Sequence, residues 1–182
     1  YYEKLTKKQK EALEPAALDA VGRASFAMNE DDWARYNNLK LRWSKLVNIG
    51  ELKGSIAAKS RGLEELQKTY TKTVTLKSAD PAICALFKIG LGYDAFANAL
   101  DNPPEPQGIT EELLIEVKAQ FAEQSKPIRE KAAEAFASVV QKSQELDVFN
   151  PCTTAALEML RTKYKPEQFP KMGEDVLELK ID

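Results

Sequence analysis

The sequence predicts an all-α fold, an α-α superhelix of stacked helix pairs, and three observations predict it. Apolar residues recur at three- and four-residue spacing in nearly every segment, the period of one helix face. Prolines fall where helices should begin or end, and glycines are few. The helix start Asp80-Pro81 is echoed 70 residues later by Asn150-Pro151, the self-similarity that marks repeat architectures. About seven helices are expected, one pair carrying a long inserted loop-helix segment.

The elements follow in order. A charged segment from Glu3 to about Leu13 leads to Pro15, which opens a helix to about Asn29 with Leu18, Val21 and Ala24 on one face. Asn29-Glu30-Asp31-Asp32 predicts a turn, with acids gathered at the positive N-terminus of the next helix. That helix should carry Trp33, Tyr36, Leu39 and Trp43. A long helix from near Asn48 to Val74 places Leu52, Ile56, Leu63, Leu66 and Tyr70 inward, although Gly54 and Gly62 each weaken it by up to about 1 kcal/mol relative to Ala.

Asp80-Pro81 then opens a helix to about Leu100, with Asp80 as the cap and Pro81 at the first helical position. Residues 101–108 contain three prolines and a glycine and must be a loop. Thr110 caps a helix with Glu111 and Glu112 in its first turn and Leu114, Val117 and Phe121 as its stripe. Pro127 predicts a kink or short break, because it lacks the amide that continues the ladder. A further helix, Ile128 to Leu146, turns Ala132, Ala135, Phe136 and Val139 to one side. The last helix runs from Pro151 to about Tyr164, and an extended tail follows Pro166, with strand-like alternation only at Leu177, Leu179 and Ile181. The chain thus divides into a helical part at 1–76, a helix pair with insertion plus a further helix at 77–165, and a tail at 166–182.

Composition narrows the function. Of 182 residues 43% are apolar and 30% charged, the balance of a folded chain rather than a disordered one. The net charge of -2 divides into +4 over 1–61 (12 basic, 8 acidic) and -6 over 62–182 (14 basic, 20 acidic). Neither part has the basic stripe with interleaved aromatics that nucleic acid requires, and no apolar run approaches the roughly 20 residues of a membrane span. Neither nucleic-acid binding nor membrane insertion is expected. The first residue is Tyr1, not Met, so a segment of a longer protein is expected.

Histidine is absent and there are two cysteines. This removes the commonest acid/base group and leaves too few thiolates for a four-ligand metal site. No metal, cofactor or catalytic residue is expected. The acidic pairs Asp31/Asp32, Glu64/Glu65, Glu111/Glu112 and Glu174/Asp175 could act as acid and base only if two faced each other across a cleft. Helix first turns, a solvated face and the tail are the simpler places for them. A helical muramidase is the enzyme alternative, although no Glu-Ser helix start of that kind occurs. A binder of lipid or another small ligand would need an apolar cavity between helices. The acidic and amide residues of 101–108 lack calcium-loop spacing, and a rigid proline spacer is the better reading.

The helix after Pro81 carries Leu86, Ile89, Gly90 and Tyr93 at the spacing of the first helix of a tetratricopeptide repeat, whose period is about 34 residues. Ala132 and Phe136 match its second helix, but too late by the length of the insertion. A weaker copy contains Leu18, Val21, Gly22 and Ala34. Small residues at a helix crossing permit close approach, so Gly90, Tyr93, Ala132 and Phe136 are read as packing residues. The stretch Ile89 to Leu100, the Pro103-Pro104 loop, Gly108 to Glu112, Gln124 to Ala132 and Gln144 to Asn150 resemble a block near the C-terminus of large tetratricopeptide-repeat proteins of deltaproteobacteria. The resemblance covers about Asp80 to Pro170. It implies a non-catalytic scaffold of the cell envelope or periplasm, binding other proteins, with the cytoplasm as the alternative location. The sequence departs from that pattern at Cys152, where tryptophan is expected.

Cys84 and Cys152 lie in the first turns of helices that start alike. A periplasmic compartment would permit a disulfide and the cytoplasm would keep both as buried thiols. A bridge needs Cα atoms within about 7 Å, closer than most helix neighbours come, so free thiols are the favoured expectation. In such repeats the first helix of each pair lines the concave face. By register, the outward stripes are Cys84, Phe87, Leu91 and Asp94; Leu157, Arg161 and Tyr164; and Asp19, Arg23 and Phe26. Arg23, Phe26, Phe87, Leu91, Asp94, Arg161 and Tyr164 are the candidate partner-binding residues, unless the insertion or the tail covers them.

Overall fold

The computed structural model describes residues 2–169, and among them the protein is helical with no strand. After a 3-10 turn at Tyr2–Lys4 come α1 (Lys7–Glu11), α2 (Pro15–Met28), α3 (Glu30–Asn37), α4 (Ile49–Val74), α5 (Ala79–Asp101), α6 (Glu111–Leu146) and α7 (Pro151–Met159), which passes into a π-helical turn at Leu160–Tyr164. The alternating residues Leu177, Leu179 and Ile181 lie outside the described residues.

Helix α5 is the hub, in contact with α2, α3, α4, α6 and α7. Ala85, Ile89, Phe96 and Leu100 join a core with Tyr36 of α3 and Leu63, Leu66 and Tyr70 of α4. Ile83 faces a second core, made with Ala132, Phe136 and Val139 of α6, Ala156 of α7 and Leu160 beyond it. A helix apolar around most of its circumference must be covered on several sides, and α5 is covered by both cores. By length and composition alone it would pass for a membrane span. Each large apolar side chain buried here contributes about 1.5–3 kcal/mol relative to exposure.

Glycines admit the closest approaches. A Cβ on Gly90 would stand 2.7 Å from the Phe136 ring, and one on Gly92 would stand 2.9 Å from the side chains of Leu63 and Leu66. Gly90 therefore seats α6 on α5, and Gly92 seats α4 on the same helix. Gly62, a weak point for an isolated helix, is a contact point here, since its Cβ would lie 2.7 Å from Leu39.

Local chemistry moves several boundaries. α2 and α3 are separated by Asn29 alone, which is buried and donates from its amide to Thr73 Oγ1 at 3.0 Å. α3 ends at Asn37, not beyond Trp43. Leu39 to Lys45 run without helix because α4 supplies their partners: the Arg42 amide donates to Ser55 Oγ at 3.0 Å and the Ser44 amide to Glu51 at 2.8 Å. Lys45 then pairs with Gln107 of the proline loop in an isolated parallel bridge. At α5 the cap position is Ser78, not Asp80, and the Ser78 hydroxyl donates to Asp19 at 2.8 Å.

Of the kink or short break expected at Pro127, the break is absent, since α6 continues through it. Proline removes one ladder hydrogen bond, and packing on both sides outweighs the loss: Phe121 and Ile128 rest on the first core, Ala132 and Phe136 on the second. The expected inserted helix is thus the N-terminal half of α6, and residues 102–110 are the loop joining α5 to it.

Candidate functional site

The predicted stripe on α5 meets the end of the chain's own last helix. The Phe87 and Tyr164 rings each lie 5.7 Å from the Phe136 ring between centroids, both tilted to it. Leu91 and Leu157 rest on the same core. Between them Asp94, 9% exposed, accepts hydrogen bonds from the Tyr164 hydroxyl, from Lys163 Nζ and, at 2.9 Å, from the Asn98 amide. Burial first, and then the hydrogen bond and charge of Asp94, push the Tyr164 phenol well above its ordinary pKa. Its hydroxyl is a fixed donor and not a proton-transfer group near neutral pH.

Arg161 is half-buried, and its Nε is buried with no hydrogen-bond partner among the described residues. Phe87, Leu91, Asp94 and Tyr164 are therefore brought to one seam between α5 and the π-helical turn, whereas no hydrogen bond among the described residues ties Arg161 to it. Arg23 and Phe26 stand apart on α2. Arg23 is exposed and pairs with Asp19 at 2.6 Å, whereas Phe26 packs on the Tyr70 ring at 5.8 Å.

The cysteines correct the sequence reading. Cys84 and Cys152 form a disulfide with Cα atoms 5.2 Å apart, and no free cysteine remains. The reason lies beside it: Asn150 donates to the Asp80 carboxylate at 2.6 Å, which draws the two first turns together.

The acidic pairs do not converge. Asp31 and Asp32 occupy the first turn of α3, Glu111 and Glu112 that of α6, and Glu64 and Glu65 the exposed face of α4. Glu174/Asp175 lie outside the described residues. No group of three or more metal-ligating side chains occurs among the described residues. Glu30 is bound to Lys88 at 2.8 Å and to the Tyr70 hydroxyl at 3.0 Å. Asp101 is bound to Arg129 and to the Ser125 hydroxyl.

Two surface depressions were missed. One, of about 600 Å³, lies between α2 and the end of α4 and is lined by Val21, Ala24, Met28, Thr69 and Leu76, with Met28 77% exposed. The other contains Lys59, a lysine 3% exposed. Its signal was available, because position 59 falls between Ile56 and Leu63 on the inward face of α4. Compared with known protein families, curated proteins and solved structures, the chain matches none.

Proposed function

We propose that this chain is a non-catalytic protein-protein interaction scaffold, part of a larger tetratricopeptide-like protein of the periplasm or cell envelope. The observation that carries the reading is the constant offset between α5 and α7. Asp80 meets Asn150, Cys84 meets Cys152 and Asp94 meets Tyr164, offsets of 70, 68 and 70 residues. Two helices in contact at nearly constant offset run in the same direction, and α6 returns the chain between them. First helices of successive repeat pairs have that relationship. The disulfide favours an oxidising compartment, where such bonds persist.

The buried Asp94 and half-buried Asp101 support a structural role, since both are already held by donors from neighbouring elements. The groove beside Met28 is the surface best suited to a partner: open, and lined by Val21, Ala24, Met28 and Leu76 together with Lys10 and Lys72. Methionine adapts to varied apolar surfaces. A photo-crosslinking residue at Met28, in the full-length protein expressed in its native cell, should give discrete higher-mass adducts. The same residue at Glu134, on the exposed side of α6, should not. Absence of adducts at Met28, or the same products at both positions, would overturn the assignment of that surface.

A further inference from the structure

The inward stripe of α4 reads Leu52, Ile56, Lys59, Leu63, Leu66 and Tyr70, so one ammonium stands where the pattern calls for an apolar side chain. Lys59 Nζ donates to the Leu39 carbonyl at 2.8 Å and lies 4.5 Å from the centroid of the Tyr36 ring. No carboxylate pairs with it among the described residues. The neighbouring charge acting on it is another cation, Lys40, which adds to burial in lowering its pKa to about 8.

Buried charges are ordinarily paired, because desolvation costs several kcal/mol per ion. One carbonyl and one ring face leave the Lys59 ammonium with donors unused and its charge uncompensated. That side chain lines a groove of about 390 Å³ with Asn37, Lys40, Asn98, Asn102 and Pro104. Leu39, Leu41 and Ala95 supply its apolar wall. The Asn98 amide is committed to Asp94 and Lys163, whereas the Asn37 side chain has no hydrogen-bond partner among the described residues.

We infer that this groove binds a carboxylate carried on an apolar body, with Lys59 as its counter-ion. A single buried cation matches a monoanion. A phosphate would call for a second buried cation, an arginine fork or a helix N-terminus, and the second cation here, Lys40, is exposed. The groove volume exceeds a carboxylate alone and accommodates an apolar chain against Leu39 and Leu41. The inference goes beyond the scaffold reading and does not depend on it. Two sources share the chemistry, a free apolar acid and the C-terminal carboxylate of a peptide.

Calorimetric titration of the protein with 4-methylpentanoate, and with a leucine-terminated peptide bearing either a free or an amidated C-terminus, separates them. Binding of the free acid with no gain from the peptide identifies a small-molecule site. Tighter binding of the free-terminus peptide, lost on amidation, identifies the end of a partner chain. Either supports the inference if Lys59→Met lowers affinity by about tenfold or more. Absence of binding of all three probes at millimolar concentration, or unchanged affinity in Lys59→Met, overturns it. Should Lys59→Met fail to fold, the wild-type protein still decides. The titration midpoint of the Lys59 side chain, followed by NMR, rises from about 8 when a bound carboxylate stabilises the ammonium. A midpoint indifferent to every probe refutes the site.

Discussion

Asn150 and Asp80 tie two helix starts together: the Asn150 side-chain amide donates to the Asp80 carboxylate at 2.6 Å and also reaches the Asp80 carbonyl at 3.4 Å. Asn150 serves two elements at once. Its Oδ1 accepts the Thr153 amide of its own helix at 3.0 Å, while its amide nitrogen holds α5. The cap that starts α7 therefore also fixes the position of α7 relative to α5. With the N-termini joined there and Tyr164 bonded to Asp94 further along, α7 and the turn that follows it are held to α5 at two points.

The disulfide lies within the first of these contacts, and its consequences are measurable. The denatured but unreduced protein should give no thiol titre. Reduction should lower stability by about 2–5 kcal/mol, the usual loss for a bridge that closes a long loop. Cys152→Ser should match the reduced protein. Two titratable thiols in material prepared under oxidising conditions would refute the bond.

Gly90 should tolerate no side chain. A Cβ there would meet Phe136 at 2.7 Å, and that ring is also in contact with Phe87 and Tyr164. Gly90→Leu should therefore cost about 1–3 kcal/mol, the range for overpacking. Gly54→Leu is the control, because nothing lies within 4 Å of a Cβ at that position. Equal denaturation midpoints for the two variants would show that α5 and α6 do not pack through Gly90.

The contact of Gly90 with Phe136 was legible because a small residue and an aromatic at fixed helical spacing have a packing meaning that distance along the chain does not erase. The inward face of α4 was legible for the same reason. The end of α3 was not, because the partners that hold Leu39 to Lys45 lie on α4 and on the loop around Gln107, distant in sequence. Pro127 carried a strong local signal, and tertiary packing overrode it. Phe87, Leu91 and Asp94 were legible as one face of α5, but which element covers that face depends on where α7 returns, and the sequence spacing left this open. Lys59 was not legible as a site because periodicity selects apolar residues, and a lysine at an inward position shows its burial only once its surroundings are known.

Asp94 should be the most costly polar residue to remove at the α5–α7 seam. It receives donors from Tyr164, Lys163 and Asn98 while itself almost inaccessible. Asp94→Ala leaves these donors without their acceptor and should cost about 1–3 kcal/mol. Tyr164→Phe removes one donor only and should cost about 1 kcal/mol. Urea denaturation measures both, and an Asp94→Ala cost no greater than that of Tyr164→Phe would show the cluster to be energetically idle.

Stability should rise with pH through the Lys59 titration. The folded-state pKa is lowered to about 8 from an ordinary 10.5, by burial first and by Lys40 second. Between these values the unfolded chain binds the proton that the folded chain has released. Raising the pH then favours the folded state, by about 1.4 kcal/mol per pH unit. Below about 8 both states carry the charge and the full penalty stands, of order 3 kcal/mol. Tyr36, Tyr70 and Tyr164 act oppositely. Their folded pKa values are raised by burial first, with Asp94 or Glu30 adding, so their contribution is complete below the ordinary 10.0 and is lost above it. The window from about 8 to about 9.5 therefore isolates Lys59. Lys59→Met removes the buried charge and loses the hydrogen bond to Leu39, and its stability relative to wild type should fall by about 2 kcal/mol across that window. A difference that stays constant between pH 7 and 9.5, measured by urea denaturation, would mean that the Lys59 ammonium is fully hydrated in the folded protein and that its groove is not a desolvated site.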